Sequence, residues 1–339
     1  MVVLGVETSC DETAFALVAD GRKVLATQVA SSLKSHQKYG GVVPEIASRV
    51  HVELFTYELD ALFSGSGIPV SQVDRIAVTH GPGLPGSLVI GISAAKSLAL
   101  AWRKPIVPVN HLHAHLYGGI MGAGWDLDVP MIGLIISGGH TALVRMSGVS
   151  KFSLLGETRD DAVGEAFDKV AKLLQLGFPG GPEIQRAAER GNPKAYKFSV
   201  PKIKSGSAYD FSFSGIKTAV LYKVRKPGES GPVQLDPQQV ADLAASFQHA
   251  VVEEVVMKAV KACRTARVRY LVVGGGVIAN GPLRQRLKEV CSDFNIEVAI
   301  PPMSLCTDNG SMIAGIGFHL QPVEPSKLTA VPDLNVGLN

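Results

Sequence analysis

Asn110-His111-Leu112-His113-Ala114-His115 is the stretch of this 339-residue chain whose residue types and spacing best suit chemistry. If it opens a helix, His111 and His115 are one turn apart and share a face, while His113 points elsewhere. Two imidazoles on one face, each with its other ring nitrogen held, are a natural pair of ligands for a divalent transition metal. The competing reading is two partly buried histidines satisfied by backbone. Far along the chain, Asp308 in Cys306-Thr307-Asp308-Asn309-Gly310 is either the N-cap of a helix or a third metal ligand. Asp11 and Glu12 stand in the turn Ser9-Cys10-Asp11-Glu12-Thr13 between two apolar runs. Such a turn can set N–H groups and carboxylates against a phosphate or a metal. It is equally the ordinary acidic tip of an exposed hairpin.

The elements that must position these residues follow from hydrophobic periodicity. Residues 105–109 read as a short buried strand, so the histidines fall at a strand's carboxyl end, where open α/β sheets keep their sites. Residues 2–8 and 14–18 are strands flanking the acidic turn, and 23–30 completes a hairpin. Residues 131–136, the turn Ser137-Gly138-Gly139-His140-Thr141 and residues 142–144 repeat that design. The repeat predicts two like lobes facing each other, with a phosphate-binding turn from each side of a cleft. Residues 44–63, opening on Pro44-Glu45, predict a helix with an apolar stripe of Ile46, Val50, Leu54 and Leu62 or Phe63. Its opposite face carries Glu45, Arg49 and Glu53. The glycines of 81–86 make a tight turn before a helix from Ser87, without the GKS/T of a Walker A loop. That helix is apolar over 86–101 but broken by Ser87, Gly91, Ser93 and Lys96, and reads as buried rather than membrane-spanning.

Farther on, residues 160–169 begin a helix that puts Asp161, Glu165 and Asp168 (or Lys169) on one side, and 237–266 form a long amphipathic helix. The strand 270–273 runs into Gly274-Gly275-Gly276-Val277-Ile278-Ala279-Asn280. Gly281 is misplaced for GxGxxG, so a dinucleotide fold is rejected, and the turn reads as backbone against which a nucleoside can lie. The end of the chain from residue 321 is Pro-rich and aperiodic, which predicts loose order.

Composition sets the bounds. A chain of this length suggests two domains, and 46% hydrophobic with 19% charged residues is a soluble globular balance. Four scattered cysteines without CxxC spacing suit a reducing cytoplasm, as does an N-terminus that lacks a basic leader. The net charge of +3 discriminates little, but residues 186–226 carry ten Lys and Arg against Glu189 and Asp210, a local +8. That is a phosphate footprint suited to nucleic acid, with a solvated loop surface as the alternative.

Several stretches, in this order, resemble the TsaD family of tRNA threonylcarbamoyl transferases. They are Val6-Glu7-Thr8-Ser9-Cys10-Asp11-Glu12-Thr13, Gly40-Gly41-Val42-Val43-Pro44-Glu45, Gly81-Pro82-Gly83, Val109-Asn110-His111 with His115, and Ser137-Gly138-Gly139-His140-Thr141. Asp168-Lys169, Pro179-Gly180-Gly181-Pro182, Phe211-Ser212-Phe213-Ser214-Gly215-Ile216-Lys217, Gly274 to Asn280, and Thr307-Asp308-Asn309 follow. The first motif is similar to the bacterial and mitochondrial branch. The resemblance implies a two-lobed actin/hexokinase-like (ASKHA) α/β fold: an N-terminal lobe over 1–108, a C-terminal lobe over 109–320, and a tail over 321–339. It implies transfer of a threonylcarbamoyl group from threonylcarbamoyl-AMP to N6 of adenosine 37 in tRNAs that read codons beginning with A, releasing AMP. His111, His115 and Asp308 match the family's ligands for iron or zinc. Ile135, Ile136, Ser137, Gly138, Gly139, Asp168, Gly181 and Asn280 match its adenylate-binding positions, and an adenine nucleotide is a further ligand the resemblance admits. Gln185 departs from the pattern, standing where many members carry an acid. The implied partners are tRNA, a TsaB-like paralogue docking on the N-terminal lobe, a TsaE-like ATPase, and a TsaC-like synthase that makes the adenylate.

The chemistry then asks for positioning, stabilisation of charge on a carbonyl oxygen, and removal of a proton. The Ser137–Gly139 turn is expected to hold the phosphate and 274–280 the nucleoside. Asp11, or secondarily Glu12, is the expected proton acceptor, and His140 a further ligand or an orienting group. Helix 44–63 is the expected docking surface for the paralogue. A metallopeptidase would want a glutamate at position 112, which is Leu. An ATP-dependent kinase or ATPase is the stronger rival, although a His/His/Asp set suits a softer ion than magnesium.

Overall fold

The computed structural model describes residues 1–199, 206–225 and 235–337. In chain order the elements begin with β1 (Val2–Glu7), β2 (Glu12–Ala19), β3 (Lys23–Ser31), α1 (Leu33–His36), α2 (Pro44–Ser66) and β4 (Arg75–Gly81). Next come α3 (Pro85–Trp102), β5 (Ile106–Asn110), α4 (His111–Ile120), β6 (Met131–Ile136), β7 (Thr141–Met146), β8 (Phe152–Glu157) and α5 (Val163–Leu173). The remainder are α6 (Gly180–Ala188), α7 (Ser214–Val224), α8 (Pro237–Ala266), β9 (Tyr270–Gly274), α9 (Gly281–Asp293), β10 (Glu297–Ala299) and α10 (Gly310–Gly317).

These elements form two compact units. One comprises Met1–Val129, Met146–Ser153 and Pro301–Asn339, the other Pro130–Arg145 and Leu154–Ile300. Each is built on a five-stranded sheet, ordered β3-β2-β1-β4-β5 in the first and β8-β7-β6-β9-β10 in the second. Numbered by appearance within each unit, both read 3-2-1-4-5, so the strand–turn–strand repeat is a repeat of whole sheets. In the first sheet β1 pairs antiparallel with β2 and parallel with β4, which is parallel to β5. In the second, β9 lies parallel between β6 and β10.

Strand alternation sends successive side chains of the first sheet to opposite faces. Leu4, Val6, Phe15 and Leu17 pack with Phe55, Leu59, Leu88 and Ile92 of α2 and α3. Val3, Ala16 and Val18 pack with Ala114 and Tyr117 of α4 and Met312, Ile313 and Ile316 of α10. α10 comes unusually close to the sheet. A Cβ at Gly5 would fall 2.1 Å from Gly310 O, and one at Gly310 would fall 2.5 Å from Ala16 N. This close contact of strand and helix backbones seats Asp308, two residues before α10.

Three expectations differ from what is found. The break expected at 108/109 does not coincide with the unit boundary. α4 and α10 belong to the first unit because each packs on its sheet, a long-range return that local patterning does not reveal. The tail over 321–339 is packed as far as residue 337: Val323 bridges β5 at Ile106, and Leu328, Leu334 and Val336 are buried. The buried stripe of α2 is Ala47, His51, Phe55, Glu58, Leu59 and Leu62, one residue round from the expected Ile46, Val50 and Leu54. Two polar residues set that register, since His51 bonds Thr13 and Glu58 accepts from Gln28. α3 is apolar and long enough to cross a membrane, yet it buries Leu88, Ile92, Ala95 and Ala99 and packs on β4 and α2.

Candidate metal and nucleotide sites

β5 ends at Asn110, whose Oδ1 accepts from the N–H groups of Leu112 (2.9 Å) and His113 (3.4 Å) and so starts α4 at His111. This cap fixes the helical phase, and His111 and His115 fall on one face. Their Nε2 atoms are 3.1 Å apart. Asp308 Oδ1 lies 3.0 Å from His115 Nε2 and 3.5 Å from His111 Nε2. Ligands bonded to one ion at about 2.1 Å stand about 3.0 Å apart at a right angle and about 3.4 Å apart at the tetrahedral angle. The observed triangle has those edges. His111 Nδ1 faces Glu7 Oε2 at 3.0 Å and Ser9 Oγ at 3.2 Å, which leaves its Nε2 for an ion. His115 Nδ1 is buried and without a hydrogen-bond partner among the described residues. The set of two imidazole nitrogens and one carboxylate oxygen fits a borderline divalent cation such as iron or zinc.

Electrostatics point the same way. Burial opposes a charge on His111, but Asp308 and Glu7 outweigh it and push the ring up to about 9. Burial likewise opposes the charge of Glu7, which is fully buried, yet His111 and the Thr79 hydroxyl (2.6 Å) hold its carboxyl below the usual range. Glu12 is pushed up to about 10 by burial and by Asp308 and Asp11. A bound cation would relieve this crowding of carboxylates. The tip bearing Asp11 and Glu12 is held in place. Ser32 donates to Asp11 O from both N–H and Oγ, at 2.9 Å each, and His51 bridges Thr13 Oγ1 (2.8 Å) and Cys10 O (2.9 Å).

The second unit gathers its own polar turn. β6 ends at Ile135 and Ile136, both fully buried, so only their backbone can serve a ligand. The turn Ser137–His140 is closed by Ser137 N–H to His140 O (2.8 Å) and by His140 N–H to Ser137 Oγ (3.1 Å), and Gly138 and Gly139 are exposed. Backbone from two other segments packs against the turn and the end of β6 before it. A Cβ at Gly164 would meet Ser137 O at 2.7 Å, and one at Gly275 would meet Ile136 O at 2.3 Å. Asp168 Oδ1 accepts from Gly180 N–H (2.6 Å), which aligns α5 with the start of α6, where Gly181 has open space above it. Gln185 Oε1 accepts from Gly281 N–H at 2.9 Å. Asn280 caps α9 through Leu283 N–H (3.0 Å) and donates to Gln248 Oε1 (2.8 Å). Loops from four elements with open glycine backbone and helix N-termini make a surface suited to a phosphorylated nucleoside.

The family profile described as "TsaD: tRNA N6-adenosine threonylcarbamoyltransferase" matches residues 23–315. The chain belongs to the TsaD family. Proteins named tRNA N6-adenosine threonylcarbamoyltransferase are similar to it over nearly its full length. That of Thermomicrobium roseum is 49% identical over 94% of this chain and 92% of its own. That of Symbiobacterium thermophilum is 46% identical over 99% and 97%. Among solved structures, HypF of T. kodakarensis covers 94% of this chain and 47% of its own at TM-score 0.62 and 16% identity. Component A of the Acidaminococcus fermentans (R)-2-hydroxyglutaryl-CoA dehydratase covers 94% and 97% at TM-score 0.52 and 14% identity. The TsaD chain thus has the two-lobed actin/hexokinase-like α/β fold.

Within this TsaD chain, His111, His115 and Asp308 come together, and Asp308 is two residues ahead of the helix whose N-cap is Asn309. The cap therefore falls to Asn309, and Asp308 is left as a candidate ligand. His140 belongs to the second unit and is not one of the three clustered residues. His113 turns away, its Nε2 on Val336 O, and burial pushes it down to about 4. Gln185 uses its amide oxygen as an acid would, accepting a backbone N–H. Lys169 joins Asp161 (2.6 Å) and Glu165 (2.8 Å) in an ion-pair network on that face. Sequence reasoning overlooked Glu7 as the partner of His111. The signal was available as an acid ending an otherwise apolar strand. Of the basic stretch, Lys194, Lys197 and Arg190 are exposed, whereas Lys202, Lys204 and Lys226 lie outside the described residues.

Proposed function

We propose that this chain is a tRNA N6-adenosine threonylcarbamoyltransferase, acting on adenosine 37 of tRNAs that read codons beginning with A. The reading is carried by one observation: the TsaD match spans residues 23–315, which include every proposed ligand of the ion and of the adenylate. Threonylcarbamoyl-AMP is the donor. The N6 amine attacks its carbamoyl carbon, the bond to the phosphate oxygen breaks, and AMP departs with the electron pair.

His111, His115 and Asp308 would hold an Fe²⁺ or Zn²⁺ ion. When bound, such an ion supplies a Lewis acid that takes up negative charge on an oxygen. Glu7 fixes the His111 tautomer by accepting from Nδ1–H. In the second unit the Ser137–Gly139 backbone receives the phosphate, with Ile135 and Ile136 contributing main chain. Asp168, Gly181, Gln185 and Asn280 set the loops that receive the nucleoside. Asp11 accepts the proton lost from N6. Glu12 suits that role less, because burial and its neighbours favour its protonated form. His140 orients the turn in which it stands.

The exposed face of α2, with Arg49, Val52, Glu53 and Tyr57, is the proposed docking surface for a TsaB-like paralogue. A TsaE-like ATPase and a TsaC-like synthase complete the system, and the cytoplasm is the proposed site of action. The relatives named above are threonylcarbamoyltransferases, which supports this reading over a kinase or a metallopeptidase. The test is incubation of the purified chain with tRNA and threonylcarbamoyl-AMP, with and without these partners, reading the nucleoside by mass. Adenosine carrying the threonylcarbamoyl increment is the expected product. Unchanged adenosine in the complete mixture would overturn the proposal.

A further inference from the structure

Residues 321–337 run along the first unit as a strap. Val323 N–H donates to Ile106 O (2.9 Å), Val331 N–H donates to His80 O (2.8 Å), and Pro332 O accepts from Gly83 N–H (3.1 Å). A Cβ at Gly81 would stand 2.0 Å from Val331 O, so strap and β4 meet backbone to backbone. Leu328, Leu334 and Val336 are 2%, 9% and 3% exposed. A chain terminus is ordinarily mobile unless tied down. This one is tied to the residues that frame His111. Asn335 O accepts from Asn110 Nδ2 (3.3 Å), and Val336 O accepts from His113 Nε2 (2.7 Å). Asn110 is the cap that begins α4. The His113 ring is also stacked on Phe152, 3.6 Å between centroids and 8° from parallel.

We infer that the C-terminal strap is a positioning element for the metal centre. Two consecutive carbonyls, of Asn335 and Val336, fix the side chains of Asn110 and His113. Through the first turn of α4 they set the aim of His111 and His115. The inference rests on the metal reading above. Ligand distances in metal sites are held within about 0.2 Å, and perturbing the outer partners of ligands weakens binding by about 10–100-fold. The strap acts through α4 rather than on the imidazoles themselves, so the lower end, about tenfold, is the expected effect.

The experiment is calorimetric titration of the full chain with Zn²⁺ alone, well below the melting temperature. It is repeated on a chain ending at Leu334 and on His113→Phe, Val336→Asp, Val336→Ile and His111→Ala. His113→Phe keeps a ring on Phe152 but offers no N–H to Val336 O. The wild-type chain binds one zinc. The shortened chain, His113→Phe and Val336→Asp bind it about tenfold more weakly with native circular dichroism, and Val336→Ile restores wild-type affinity. His111→Ala abolishes binding. Wild-type affinity in His113→Phe and Val336→Asp overturns the strap inference while leaving the metal reading intact, and these variants decide the matter if the shortened chain does not fold. Zinc binding unaltered by His111→Ala overturns the metal reading, and the inference with it.

Discussion

Gly5→Ala separates the seat of α10 from the stability of the sheet beneath it. The added Cβ would lie 2.1 Å from Gly310 O, 2.6 Å from Ala314 N and 2.9 Å from Ala314 Cβ. Close carbon–oxygen contacts settle at about 3.3 Å, so α10 must withdraw by about 1 Å. Asp308 precedes α10 by two residues, and its Oδ1 is 3.0 Å from His115 Nε2. A displacement of that size is several times the tolerance of a metal site, about 0.2 Å. Overpacking of this kind costs about 1–3 kcal/mol, a fraction of the stability of an ordinary domain, so the variant still folds. Zinc affinity is expected to fall by more than about 100-fold, beyond the range for perturbed outer partners. Gly65→Ala is the control, since nothing lies within 4 Å of its Cβ. The assay is a zinc competition titration paired with a thermal melt. A Gly5→Ala chain that melts lower yet binds zinc with wild-type affinity would refute the link between the glycine contact and Asp308.

Other outcomes follow from the same geometry. Glu7→Gln keeps the shape but removes the charge facing His111 Nδ1, and zinc affinity should drop by about 10–100-fold; an unchanged titration would remove Glu7 from the site. Asp11→Asn should slow single-turnover transfer by about 10²–10⁴-fold with donor binding intact, and an unaltered rate assigns the proton to another group. Reversing charge at Lys194 and Lys197 should weaken tRNA binding uniformly. It should also flatten the salt dependence by about 0.7–0.9 per lost phosphate contact, whereas an unmoved salt slope returns these lysines to a solvated surface.

The parts of the fold legible in the sequence are those set by short-range alternation. Leu4 to Val18 and Ile132 to Val144 announce the same strand–turn–strand unit, and both sheets carry it in the same order. The histidine pair was legible because helical spacing is local. Asp308 was legible as a candidate, but whether it caps the helix or faces the histidines depends on where α10 docks, which is decided by the contact of Gly5 and Gly310 some three hundred residues apart. The unit boundary was missed for the same reason. The register of α2 was missed because His51 and Glu58, polar by type, are buried by partners on β2 and β3. The strap was hidden by its prolines, which break periodicity yet leave carbonyls free to accept from Gly83, Asn110 and His113.

X-ray absorption on the zinc-loaded chain tests the central claim most directly. Two imidazole nitrogens at about 2.0–2.1 Å and carboxylate oxygen at about 2.0–2.2 Å are the expected scatterers, with loading lost in His111→Ala, His115→Ala and Asp308→Ala. Sulfur at about 2.3 Å, or full loading in those three variants, would contradict the account.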